Sequence, residues 1–215
     1  MDGNRRWAKE RNLPTLEGHK KGFERIQDLI AWCEGTSLEE VVLYAFSTEN
    51  WNRSTEEVAY LMDIFEHSFS GTLARISEKG VRIRFIGQLE RFSAGLQKKM
   101  HALQAESAKG VAGTLAVAMS YGGRPEILAA VNNLLREGKE TVNEEEFSQA
   151  LWSAGLLDPD LILRTGGERR LSNFLPWQSV YSELFFTDTK WPDFSREEFN
   201  AVLAEYAERE RRHGK

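Results

Sequence analysis

Cysteine is nearly absent. The chain of 215 residues holds one, Cys33, which excludes an intramolecular disulfide framework and a thiolate zinc cluster and fits a reducing compartment, the cytoplasm. Proline is sparse at five residues, and no Pro/Ser-rich linker, repeat or low-complexity tract divides the sequence, so a single domain over residues 1–215 is expected. Long apolar runs are missing too. The longest stretch free of charge, Gly110 to Gly123, is broken by Gly, Thr and Ser and falls short of the roughly 20 apolar residues of a membrane span. No basic, apolar leader is visible, so no secretion signal is expected. Positive charge is not in excess: 28 Lys+Arg against 33 Asp+Glu give a formal charge of −5, which argues against a nucleic-acid binder that works through a basic face. A local anion site remains open. What the chain does have is 41% hydrophobic residues, and at this length a domain hides about 70% of its unfolded surface.

Periodicity predicts strands at Val41 to Phe46, Val81 to Ile86 and Thr114 to Met119, with weaker candidates at Leu161 to Leu163 and Leu184 to Phe186. Between them lie helical patterns. In His19 to Trp32, the residues Phe23, Ile26, Leu29, Ile30 and Cys33 recur at spacings of three and four. A second helix is predicted from the capping signal Ser54-Thr55-Glu56-Glu57 to about Lys79, ended by Gly80, with others at Ala94 to Lys109, Pro125 to Arg136, Asn143 to Ala154 and Ser195 to Arg212. Alternating strands and helices predict an α/β fold, a mostly parallel central sheet covered by helices on both faces, with ligands collecting at the C-terminal ends of the strands.

Four unusually polar clusters fall where strands end or helices begin: Met1 to Trp7 (MDGNRRW), Ser47 to Arg53 (STENWNR), Ser120 to Arg124 (SYGGR) and Arg164 to Asn173 (RTGGERRLSN). Each joins Gly or small hydroxyl residues to Arg, offering backbone N–H groups and forked donors to phosphate oxygens. Singly, a Gly-Gly pair is a turn and an Arg-rich loop is a solvated face. Together on one sheet edge they suggest a diphosphate site. Neither a Walker A nor a dinucleotide fingerprint is present.

These loops resemble the signature regions of cis-prenyltransferases, the undecaprenyl diphosphate synthase family. MDGNRRWA, Gly18-His19, YAFSTENWNR, SYGGR, LILRTGGERRLSNFLPWQSVYSELFFTDTKWPDF and RERRHG follow one another along nearly the whole chain. The resemblance implies sequential condensation of isopentenyl diphosphate onto an allylic diphosphate such as farnesyl diphosphate, with new double bonds in the cis configuration and Mg²⁺ as cofactor. It also implies a homodimer and a hydrophobic product tunnel. By resemblance, Asp2 brings Mg²⁺ to the allylic diphosphate and Gly3, Asn4, Arg5, Arg6 and Trp7 form its cradle, with Thr15 and His19 nearby. Ser47, Thr48, Glu49, Asn50, Trp51 and Arg53 form the segment that positions both substrates; Asn50, a very weak base, is expected to orient substrate rather than take its proton. Arg164, Arg170, Leu171 and Ser172 match the isopentenyl diphosphate site, and Glu183 the second carboxylate associated with Mg²⁺. Arg212 and Gly214 match a tail that reaches the partner subunit's site, and a transient membrane contact would serve product release.

Outside the resemblance each residue has an ordinary reading: an Asx turn for Asp2, a helix cap for His19, a surface carboxylate for Glu183, a frayed end for the tail. By pattern Leu61, Met62, Ile64, Phe65 and Phe69 read as core, while the resemblance implies that some of them line the tunnel, with Ser68 and Gly113 as small residues near its floor. Two departures stand out. The family carries a buried strand before its DGN motif, whereas Asp2 follows Met1, so that strand is expected to be missing, through a late start or a truncation, with the α-amino group beside Asp2. Thr15 stands where many relatives have Arg, and Arg5 is a candidate to supply that charge. A trans-prenyltransferase would need DDxxD motifs, which do not occur; a non-catalytic scaffold related to these enzymes and an unrelated phosphate-binding α/β domain are the remaining alternatives.

Overall fold

A computed structural model describes residues 1–209. The described residues form five strands, β1 (Glu40–Ser47), β2 (Arg82–Ile86), β3 (Thr114–Tyr121), β4 (Leu161–Arg164) and β5 (Glu183–Phe186); helices separate the first four, a helix-free segment joins β4 to β5, and every pairing between them is parallel. They form two sheets, a three-stranded one in the order β1-β3-β2 and a two-stranded β4-β5 ribbon. Beside β4 the chain start is pinned: the Asp2 N–H donates to Thr165 Oγ1 (3.0 Å), and the Trp191 N–H donates to the Asp2 carbonyl (2.9 Å).

The eight helices of the described residues are α1 (Asn4–Glu10), α2 (Thr15–Cys33), α3 (Thr55–Ser70), α4 (Thr72–Glu78), α5 (Ala94–Ser107), α6 (Gly123–Arg136), α7 (Glu144–Ala150) and α8 (Arg196–Glu208). Both faces of the larger sheet are covered. Leu43, Leu115, Val117 and Met119 pack on one side with Ile26, Phe65 and Met100 of the helices, while Ala118 and Tyr121 of β3 pack on the other with Leu175. The period-2 alternation along β3 separates the two faces as far as Met119; Ser120, at φ +49°, interrupts it and turns Tyr121 to the second face. The open edge of β2 is closed by side chains of α5: the Ile83 N–H donates to Ser107 Oγ (2.9 Å) and the Phe85 N–H to Gln104 Oε1 (2.6 Å), which removes two templates for edge-to-edge association.

The helix expected from Ser54 to about Lys79 is two. It breaks at Gly71 (φ −113°, ψ −97°), a conformation outside the helical region, flanked by the small polar pair Ser70 and Thr72. The helix expected to end at Ala154 stops at Ala150, and the short α1 was not anticipated. Its N-cap, Gly3, lies at φ +104° and offers no capping side chain, so the usual start signal is missing.

Candidate active site

Two of the four polar clusters, the first and the last, meet around the Asp2 carboxylate. Gly3 turns the chain so that its N–H donates to Asp2 Oδ1 (2.6 Å). Arg164, the last residue of β4, forks: Nη2 donates to Asp2 Oδ2 (2.9 Å), and Nη1 donates to Ser172 Oγ (2.7 Å) and to the Arg170 carbonyl. One guanidinium thus ties the first loop to the 165–173 loop. Arg6 Nη2 lies 3.4 Å from Asp2 Oδ1, its Nη1 lies 3.8 Å from Glu168, and Glu168 pairs in turn with Arg170. Burial pushes the Asp2 carboxyl up, but Arg164, the Gly3 N–H and Arg6 outweigh it and hold it below the ordinary carboxylate value. The α-amino group of Met1 is buried, which draws its pKa down to about 6 against the opposing pull of Asp2.

A second polar centre is organised by Glu57, a buried residue of the first turn of α3. Its Oε1 meets His19 Nε2 at 3.0 Å and Arg53 Nη1 at 2.9 Å, and Arg5 Nε lies 3.7 Å away. Burial raises the Glu57 carboxyl, yet His19 and Arg53 bring it below its usual range. Burial also lowers the His19 pKa, with Arg53 and Arg5 acting in the same direction and Glu57 opposing. In the sequence Glu57 carries only the signal of a capping residue, and its backbone N–H does donate to Ser54 Oγ. Thr165, buried and bonded to both backbone groups of Asp2, was likewise not singled out.

The segment after β1 forms a tight turn, Thr48–Asn52, whose side chains largely serve themselves. Asn50 Oδ1 accepts the Ser47 N–H (3.1 Å) while the Ser47 hydroxyl accepts the Asn50 N–H. The Trp51 indole donates to Ser120 Oγ (2.9 Å), and Asn173 Nδ2 donates to Glu49 (3.4 Å). Thr48 Oγ1 and Asn173 Nδ2 close so tightly over Gly122 that a Cβ there would lie within 2.8 Å of both. The SYGGR cluster therefore acts as a seat for its neighbours.

Not every expected residue joins these centres. The Trp7 indole turns to Asp193 (2.6 Å), under the guanidinium of Arg11. Thr15 opens α2, and Leu171 lies in the 165–173 loop, where its carbonyl accepts the Phe174 N–H. Glu183 pairs with Leu161 in the β4-β5 register, three residues short of Arg164, and its carboxylate accepts from Arg209 (2.6 Å). At about 3.3 Å per residue that separates it from the Arg164 end of the sheet by roughly 10 Å along the strand. Arg212 and Gly214 lie outside the described residues.

Beside the Asp2 loop, bordered by Met1 and Asn4, opens a narrow apolar cavity of about 70 Å³ with an open mouth. It follows two turns of α2 from His19 to Ile26, roughly 10 Å at 1.5 Å per residue, and is walled by Ile64, Phe65, Ser68 and Phe69 of α3. Leu61 and Met62 belong to the packed core instead. Gly113 does not line the cavity either; it lies beside Glu39 at the opposite end of β3.

Cationic loops at strand ends over a hydrocarbon-lined cavity define a class: an α/β protein equipped for a ligand with an anionic head and an apolar tail. A family model described as "Putative undecaprenyl diphosphate synthase" matches residues 1–214. The isoprenyl transferases of Chromobacterium violaceum and Aquifex aeolicus are 43% and 45% identical over 215 residues, all of this chain and 86% and 93% of theirs. Lavandulyl diphosphate synthase from Lavandula x intermedia, solved with dimethylallyl diphosphate, superposes with a TM-score of 0.94 at 30% identity over 100% of this chain and 95% of that one. A probable undecaprenyl diphosphate synthase from Campylobacter jejuni gives 0.82 at 34% identity, covering 91% and 93%. The chain belongs to the undecaprenyl diphosphate synthase family and is a transferase of prenyl groups.

Proposed function

We propose that the protein is a Mg²⁺-dependent cis-prenyltransferase that condenses isopentenyl diphosphate repeatedly onto an allylic diphosphate, farnesyl diphosphate or a similar primer. The observation that carries this reading is the fork of Arg164, which joins the Asp2 loop to the loop of Ser172 and Arg170 and so sets two cationic loops side by side above an apolar cavity. The dimethylallyl diphosphate bound by the lavandulyl diphosphate synthase supports an allylic substrate.

In each cycle the allylic C–O bond breaks, diphosphate leaves, a C–C bond forms to the terminal carbon of isopentenyl diphosphate, and one proton is lost from the isopentenyl chain. Arg6, Arg53 and His19 are suited to bind the departing diphosphate as its charge grows; Arg164, Arg170 and Ser172 are suited to hold the isopentenyl diphosphate. The proton goes to a phosphate oxygen or to water, because the Asn50 carboxamide already accepts a backbone N–H and has no useful basicity. Each added unit then leaves water for the cavity, at about 0.8 kcal/mol per CH₂.

The donor set fits Mg²⁺ as an ion shared with substrate. Among the described residues no three His, Cys, Asp or Glu side chains converge, and a lone anionic Asp2 suits a cation that keeps waters and takes phosphate oxygens. When bound, Mg²⁺ would neutralise the leaving diphosphate. A homodimer completes the proposal, with Arg212 and Gly214 reaching the partner site and Glu183 contributing to Mg²⁺ there. It is supported by the exposed apolar residues Val180, Tyr181 and Leu184 on and beside β5. No helix of the described residues is long and apolar enough to cross a membrane, and the enzyme is proposed to work in the cytoplasm with peripheral membrane contact during product release.

Incubation with labelled isopentenyl diphosphate, Mg²⁺ and dimethylallyl, geranyl or farnesyl diphosphate tests the reading. Incorporation into cis polyprenyl products is expected. A folded protein that incorporates nothing with any primer would instead be a scaffold.

A further inference from the structure

The turn that carries Asn50 and leads to Arg53 is held from outside by a residue of another segment. Trp51 is gripped on several sides: its indole N–H donates to Ser120 Oγ, its ring meets Phe46 edge-on at 4.9 Å and Phe92 at 5.4 Å, and the guanidinium of Arg91 lies 4.8 Å over the ring. Arg91 belongs to a short turn, Leu89–Arg91, after β2, the strand separated from β1 by β3.

That turn is a fixed platform. Gly87 approaches β3 so closely that a Cβ would fall 2.1 Å from the Met119 carbonyl, and the Gln88 N–H donates to the Ser120 carbonyl (3.2 Å). From α5, Gln97 Nε2 donates to the Phe92 carbonyl (2.7 Å). Arg91 itself donates to Gln88 Oε1 (3.3 Å). Ser120 is thus the common anchor: its hydroxyl takes the indole and its carbonyl takes the platform. Phe92 is buried beneath the tryptophan, whereas Arg91 is exposed and covers it.

We propose that Arg91 is a positioning residue for the prenyl transfer, clamping Trp51 by a cation–π contact and thereby fixing where Asn50 and Arg53 stand toward the two diphosphates. This rests on the function proposed above. An exposed cation–π contact shifts a conformational equilibrium roughly two- to fivefold.

The test compares Arg91→Ala and Arg91→Lys, each with native Trp51 and in a Trp51→Leu background. Arg91→Ala is expected to raise KM for the diphosphates about two- to fivefold with little change in kcat or Tm, and Arg91→Lys to restore it, because either cation can sit over the ring. In the Trp51→Leu background the alanine change should have no further effect. Acrylamide quenching of tryptophan emission should increase in Arg91→Ala by an amount that Trp51→Leu abolishes. An unchanged KM and quenching, or an equal KM increase with and without Trp51, overturns the clamp. If the wild-type protein incorporates no label, the proposed function falls instead, and the quenching comparison still decides whether Arg91 holds Trp51.

Discussion

At Asp2, the partners on the carboxylate say more than the motif around it. Arg164, Arg6 and the Gly3 N–H all address this one group, so it is anionic at neutral pH and suited to recruit a cation together with substrate. Asp2→Ala should abolish incorporation, by at least about 100-fold in kcat/KM, with an unchanged circular dichroism spectrum. Retained turnover would remove Asp2 from the mechanism. Glu57→Gln makes a different case, because a buried carboxylate that faces His19 and Arg53 becomes a neutral amide. The loss is expected at about 1 to 3 kcal/mol in urea unfolding, alongside weaker diphosphate binding. Asp2 could be singled out before folding because it stands in a contiguous motif. Glu57 could not, since Ser54-Thr55-Glu56-Glu57 is satisfied as a helix start whether or not the carboxylate turns inward.

Among the elements, the three longer strands were legible because VVLYAF, VRIRFI and TLAVAM are apolar enough to be buried in a covered sheet. The break at Gly71 was not, because the apolar spacing continues from Phe65 and Phe69 to Leu73 and Ile76 across it. Nor was α1, whose sequence NRRWAKE has little apolar periodicity and whose only buried residue is Ala8. What holds α1 is contact with α2. A Cβ on Gly18 would fall 2.1 Å from the Asn4 carbonyl, and one on Gly22 would fall 2.2 Å from Asn4 Oδ1. Gly22→Ala is therefore expected to cost about 1 to 3 kcal/mol and to reduce kcat/KM by displacing the Gly3 to Arg6 cradle. Denaturant titration together with steady-state kinetics checks both. A variant with native kinetics would detach the cradle from this contact.

For the whole molecule, acid should be destabilising in two stages. The Met1 α-amino group and His19 both have lowered pKa values in the folded chain, so the unfolded chain binds protons that the native one does not, and stability falls as pH drops from about 8 through about 6.5. The carboxyls of Asp2 and Glu57 are also lowered; their contribution is complete above about pH 4 and is lost as pH falls through their folded values. Urea midpoints measured from pH 8 to 3 should show both stages. His19→Gln should reduce the part of the first stage below about pH 6.5, and a first stage unchanged in that variant would assign it to the Met1 α-amino group. Cavity size predicts a further property. Opening the α3 and α4 wall with Phe69→Ala or Leu73→Ala should shift products toward longer chains, and an unchanged product distribution would place the stop elsewhere.

The bare contact between α1 and α2 also joins the Asp2 loop to the wall of the cavity. With no side chain from Gly18 or Gly22 to act as a cushion, α1 rides on the same rod that, at Phe23 and Ile26, borders the greasy interior. A tail that shoulders α2 aside would rock the headgroup cradle with it, giving the doorway a mechanical sense of how full the room behind it is.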